Sequence, residues 1–209
     1  MNKIKIIFSA FCLTILSTSA FSEGLKVGIN AAYSMFETSG SETLKESSNI
    51  TNKSIDEDLV VPSLFVEVDN GSGMAFGLDY VPVAELGSGT GDDDDAETSG
   101  ANKASAELAS HLTVYALKNF GPGLFVKAGL AFADVDTTET LATGDSYSNT
   151  DTTGLMIGVG KEVELGEFFA RATVSHTDYD DVSITSTNGS VVKASVDSTA
   201  VTLSIGKEF

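Results

Sequence analysis

Thr199–Phe209 reads TAVTLSIGKEF, and its reading decides the fold. Val201, Leu203 and Ile205 alternate with Ala200, Thr202, Ser204 and Gly206. A period of two belongs to a strand, because successive side chains point to opposite faces of a sheet. A strand with one apolar row needs hydrogen-bonding partners on both edges, and a sheet that closes on itself supplies them. The last strand then pairs with the first, so the same alternation is expected near the start of the chain and repeatedly in between.

It is there. Leu25, Val27, Ile29, Ala31, Tyr33 and Met35 alternate with Lys26, Gly28, Asn30, Ala32 and Ser34. Val60–Val68 follows and contains Pro62, which is expected at a bulge or near the strand's start because it has no N–H to donate. Met74–Val81, Ser105–Ala116, Leu124–Phe132, Gly154–Gly160 and Phe168–Ser175 carry the pattern onward, and the closing segment is the eighth. Each is about the length that crosses a bilayer at a tilt. The connections alternate strictly. Asp69–Gly73, Lys118–Gly123 and Val163–Glu167 are short and turn-rich, whereas Glu37–Asp58, Glu85–Lys103, Asp134–Asp151 and Asp178–Lys193 are long and polar. Tight turns at one end and extended loops at the other define an up-and-down barrel.

Lys3 and Lys5 before the apolar run Ile6–Leu16, then Ala20-Phe21-Ser22, have the form of a secretory signal peptide over residues 1–22, leaving 23–209 as one barrel domain. Cys12 falls inside that leader, so the mature chain offers neither a disulfide nor a thiol nucleophile. The formal net charge of −18 becomes more negative once Lys3 and Lys5 leave, which argues against nucleic acid as a partner. No later stretch is apolar for long enough to form a spanning helix.

The composition of the two rows decides which faces out. A soluble lipocalin-like binder would present a polar row dense in charges to water. Here the second row is mostly Gly, Ala, Ser and Thr with a few charges, which suits a narrow interior. The apolar row is therefore placed on lipid, and the fold class is an all-β, eight-stranded, antiparallel up-and-down transmembrane β-barrel. The soluble binder is the alternative.

A closing strand that ends on Phe209, with Ile205 and Gly206 before it, resembles the terminal signal by which bacterial outer-membrane proteins are recognised for barrel insertion. Lys207 stands where that signal usually carries an apolar residue. With the leader, the eight alternations and the alternating turn lengths, the whole mature chain is similar to the small eight-stranded outer-membrane family, the OmpA and OmpX type and the opacity-type surface proteins. The resemblance implies residence in the bacterial outer membrane, insertion by the barrel-assembly machinery, lipid and lipopolysaccharide as surroundings, and a monomer.

Lys26, Glu67, Asp79, Glu107, His111, Lys127, Arg171 and Glu208 share the lumen parity. Buried charges must be paired, so Lys26 is expected to meet Glu67 and Arg171 to meet Glu208. Asp79 and His111 fall at similar heights on adjacent strands, which makes them the candidate titrating pair. These charges read as a structural plug of ion pairs, or as an ion path opened by exchanging partners. Asp92, Asp93, Asp94 and Asp95 form the densest acidic run, a solvated loop or a surface site for divalent cations. No metal cluster or cofactor motif is recognisable. Some barrels of this kind modify lipid A with a His, a Ser and an acid near the rim, and His176, Asp178 and Ser195 are the residues here that fit such a set. The functional expectation is a non-enzymatic barrel with a structural and surface-interaction role and four long acidic loops. A narrow channel, a lipid A-modifying enzyme and the soluble binder are the alternatives.

Overall fold

The computed structural model describes residues 24–45, 48–93, 100–142 and 144–209, so the leader expected at 1–22 lies outside the described residues. Ten strands follow one another: β1 Leu25–Thr43, β2 Ile50–Asp69, β3 Met74–Val81, β4 Ala84–Asp93, β5 Gly100–Gly121, β6 Leu124–Thr140, β7 Thr150–Leu165, β8 Phe168–Tyr179, β9 Val182–Thr185 and β10 Val191–Glu208. They occupy eight positions in a closed antiparallel ring, since β3 and β4 both pair with β5, and β8 and β9 both pair with β10. β10 closes on β1 from Lys26↔Glu208 to Thr43↔Val191, which uses both edges of the closing strand as the alternation requires.

Turn chemistry fixes the short end. In the β2–β3 turn, Asp69 accepts the Gly71 N–H at 2.7 Å and Asn70 Oδ1 accepts the Ser72 N–H at 2.9 Å. Gly71 and Gly73 hold φ of +72° and +74°, values that a residue with a Cβ rarely adopts. The first and last described residues meet at this end, where Gly24 N–H donates to the Phe209 carbonyl at 3.2 Å.

At the other end the structure corrects the sequence reading. The stretches expected as extended loops are mostly strand: β1 and β2 stay paired as far as Thr43↔Ile50, and β5 and β6 as far as Lys103↔Thr140. Beyond the apolar band both faces of a strand meet water, so the hydropathy alternation disappears while the hydrogen-bond ladder continues. Residues 50–58 are exposed at every position, which is the mark of such a segment.

β2 leaves β3 at Leu64↔Tyr80 and from there outward pairs with β1 alone. The wall thus divides into two sheets, β2-β1-β10-β9 and β4-β5-β6. Pro62 lies just above this division, on what is there an edge strand, and needs neither a bulge nor a strand start because no neighbour asks for its missing N–H.

The segment 144–149 straps the two sheets together. Asp145 accepts hydrogen bonds from Ser186 Oγ at 3.0 Å, Thr187 Oγ1 at 2.7 Å and the Asn188 N–H at 2.8 Å, while the Tyr147 hydroxyl donates to Glu42 at 2.7 Å. Desolvation opposes the charged form of Asp145, but these donors outweigh it and hold the carboxyl below the ordinary aspartate range. A depressed carboxylate contributes stability above its unfolded pKa and loses it as pH falls through the folded one. The clasp therefore holds at neutral pH and opens only below about pH 4. Asp145→Ala is expected to make the 144–149 and 186–190 segments cleavable at pH 7 in limited proteolysis of the vesicle-embedded protein, with the strands left intact.

Candidate functional site

The row assignment fixes the interior. Ile29, Leu64, Leu155 and Leu203 on the apolar row are 56%, 57%, 67% and 64% exposed, and the opposite row is buried in a lumen filled in layers. Nearest the turns is a charged layer. Arg171 on β8 reaches Glu67 on β2 with two parallel hydrogen bonds of 3.0 Å, and its Nε and Nη2 meet Glu162 on β7 at 3.0 and 2.5 Å. Lys26 on β1 holds the other oxygen of Glu162 at 2.6 Å and lies 3.8 Å from Glu208. The Tyr115 hydroxyl adds a hydrogen bond to Glu67 at 3.0 Å. The layer works because a guanidinium presents a rigid planar fork that matches carboxylates on two strands at once.

Glycines on the small row make room for aromatic rings from neighbouring strands. A Cβ on Gly28 would stand 2.6 Å from the Phe65 ring, one on Gly77 2.5 Å from Tyr115, one on Gly160 2.3 Å from Phe125 and one on Gly206 2.5 Å from Phe169. Three of those rings, Phe65, Phe125 and Phe169, then lie 5.6, 5.1 and 5.3 Å from the Arg171 guanidinium, and Lys127 caps the Tyr115 ring at 3.7 Å. Cation and ring faces attract, so the aromatic layer stabilises the charge that the carboxylates neutralise.

Further outward comes a polar layer. Asn30 donates to Ser63 at 3.0 Å and to Asp79 at 2.7 Å, and Thr113 and Thr173 are buried. Above it Val61, Val81, Leu108 and Ala133 form an apolar cluster with Leu59, Ala84, Leu86, Val135 and Tyr179 packed on it. These residues come from β2, β3, β4, β5, β6 and β8, while β1 and β10 contribute the buried Ser34 and Ser198.

Most of the predicted lumen charges point inward, but their partners differ from expectation. Lys26 meets Glu162 and not Glu67, and Arg171 meets Glu67 and Glu162 and not Glu208, which is half-exposed at the rim. Asp79 and His111 do not bond each other: Asp79 is taken by Asn30, and His111 Nε2 lies 3.0 Å from the Tyr179 hydroxyl. Glu107 is a correction. The β5–β6 register shifts between Leu108 and Ser110, so the extra residue Ala109 inverts the parity below it, turning Leu108 inward and Glu107 out. Glu162 is the lumen residue that the sequence reading missed, although it continues the row Gly154, Met156, Gly158, Gly160 by one step.

At the rim His176 Nδ1 lies 3.0 Å from Thr199 Oγ1 and Nε2 lies 4.0 Å from Asp197, whereas Ser195 bonds Ser39. The expected grouping of His176, Asp178 and Ser195 is therefore not formed. Of the acidic run, Asp92 and Asp93 end β4; their side chains, and Asp94 and Asp95 altogether, lie outside the described residues. Ile205 and Gly206 stand on the closing strand and Phe209 follows it directly, its N–H donating to the Leu25 carbonyl at 2.9 Å.

The architecture is shared with solved structures. OprG, an outer membrane protein from Pseudomonas aeruginosa, is 15% identical over 90% of this chain and 97% of its own, with a TM-score of 0.51. The chain has the outer-membrane β-barrel fold. The outer membrane protease OmpT from Escherichia coli, 9% identical over 92% of this chain and 99% of its own with a TM-score of 0.50, has the same kind of barrel. No protein-family model and no curated protein matches the sequence. In an outer-membrane barrel the exposed apolar row meets lipid.

Proposed function

We propose that the protein is a non-conducting, non-enzymatic barrel of the bacterial outer membrane that anchors a polar, strand-built projection at the cell surface. The observation that carries this reading is the filled lumen, and above all the apolar cluster around Val61, Val81, Leu108 and Ala133 across the ion path. An ion crossing it would have to shed its hydration against side chains that return nothing. The charged layer then acts as an internal brace, and exchange of its partners opens no path while the apolar layer stands. The projection adds an open polar hollow of about 550 Å³ across β1, β2, β9 and β10, bordered by serines such as Ser39, Ser54 and Ser195 and by the charged Lys53, Asp181 and Lys193, which suits contact with hydrated surface polymers such as lipopolysaccharide. Closure of β1 on β10 leaves the closing strand no unpaired edge, so the barrel stands as a monomer once the assembly machinery has inserted it.

Planar-bilayer recording tests the reading. The wild-type barrel is expected to give no steps above the bare bilayer, and the double variant V81S/L108S is expected to give small ones. Steady wild-type conductance that falls in Arg171→Ala would overturn the proposal in favour of a gated channel. Incubation with lipid A is expected to release no acyl chains; release abolished by His176→Ala would make the rim a catalytic site.

A further inference from the structure

The lipid-facing row carries its charges unevenly. Glu37, Asp58, Asp134, Asp151, Asp178 and Asp197 stand on it at the loop end, with Asp134 opposite Asp151 and Asp178 opposite Asp197 in the register. Its cations include Lys103 and Lys193 at the loop end, and three more stand at the turn end. Lys118 on β5 is in register with Met74 and Val126, Lys161 on β7 with Leu124 and Ala172, and Lys207 on β10 with Val27 and Phe168. All three sit among exposed apolar side chains, including Phe120, Leu124, Val126, Val163, Leu165 and Phe168.

Lys207 has its own counterion, Glu167 at 3.1 Å. Lys118 donates to the Ser72 carbonyl at 3.1 Å, and among the described residues neither Lys118 nor Lys161 has a carboxylate within ion-pair distance. A charge on the lipid side of a barrel is costly unless its stem carries it to an anion at the interface. Lys118 and Lys161 bracket the first residues of β6, at Val126 and Leu124 respectively. Their Cα atoms are about 10 Å apart across two strand spacings and about 7 Å apart along the strand, within reach of one diester between two lysine stems.

We propose that Lys118 and Lys161 together seat the phosphate of an anionic phospholipid in the turn-side leaflet, with its acyl chains along Leu124, Val126 and Val159. The seat rests on the outer-membrane barrel reading, because it exists only where that face meets lipid. Apolar flanks select a lipid over a free phosphate, and the carboxylates at the loop end keep anionic headgroups from binding equally well there.

The test is native mass spectrometry of the full mature chain, folded into phosphatidylcholine vesicles with a minor share of phosphatidylglycerol and extracted in mild detergent. Wild type is expected to retain phosphatidylglycerol well above its share in the vesicle. The variant K118Q/K161Q is expected to lose that enrichment, about fivefold per lysine from the roughly 1 kcal/mol a cation gains beside an anionic headgroup. Lys193→Gln, at the loop end, is expected to leave it unchanged. Retained lipid that matches the vesicle, or equal enrichment in K118Q/K161Q, overturns the seat. Gel mobility before boiling, taken on the same samples, separates the two readings: a folded band without enrichment overturns the seat alone, and no folded band in wild type overturns the barrel.

Discussion

Arg171→Ala is expected to cost about 3–5 kcal/mol of barrel stability, the largest single effect in the molecule, because it strands buried carboxylates without their cation. Glu67 is 1% exposed and would keep only the Tyr115 hydroxyl of its present donors, while Glu162 would fall back on Lys26. The three phenylalanine rings around the guanidinium would also face a void. Since the chain has no Trp, urea titration is best followed by the fraction of fast-migrating folded band. A shift in midpoint equivalent to less than about 1 kcal/mol would mean that the charged layer does not brace the barrel. Replacing both partners, as in R171M/E67Q, is expected to recover most of the loss, because removing a buried pair together costs far less than removing one member.

The second large effect is steric. Gly160→Val is expected to destabilise by about 3 kcal/mol, at the upper end for an overpacked core. Its Cβ would fall 2.3 Å from Phe125 Cζ and 2.5 Å from the Ala172 carbonyl oxygen, and backbone in a closed ring has little freedom to move aside. Phe125→Leu in the same chain is expected to relieve part of the penalty, so the two changes should be strongly non-additive in the same urea assay. Additivity would show that ring and glycine do not share space.

These two sites differ in how far the sequence discloses them. The lumen parity of Gly28, Gly160 and Gly206 follows from alternation alone, and so does the inward direction of Lys26, Glu67 and Arg171. Their partners do not follow. Arg171 finds Glu67 104 residues away across the lumen, a pairing set by barrel stagger, which period-two patterning does not encode. Glu162 continues the inward row of Gly158 and Gly160 by one step, past the last glycine of the alternation. The bulge at Ala109 left no trace, because an alanine inserted between Leu108 and Ser110 disturbs neither polarity nor turn propensity, and Glu107 was assigned to the wrong face as a result. The loop end was misread for a different reason. Strands such as Ile50–Asp58 leave the apolar band and lose the contrast between faces, so hydropathy describes the lipid boundary there and not the end of the strand.

A closed barrel held in the outer membrane is tested most directly by gel mobility of the outer-membrane fraction, with and without boiling. Such a barrel is expected in that fraction and migrates faster before boiling than after, as a compact ring that resists detergent until heated. Recovery as a soluble periplasmic protein with the same mobility in both lanes would contradict it, and would turn the exposed apolar row from a lipid contact into a ligand-binding face.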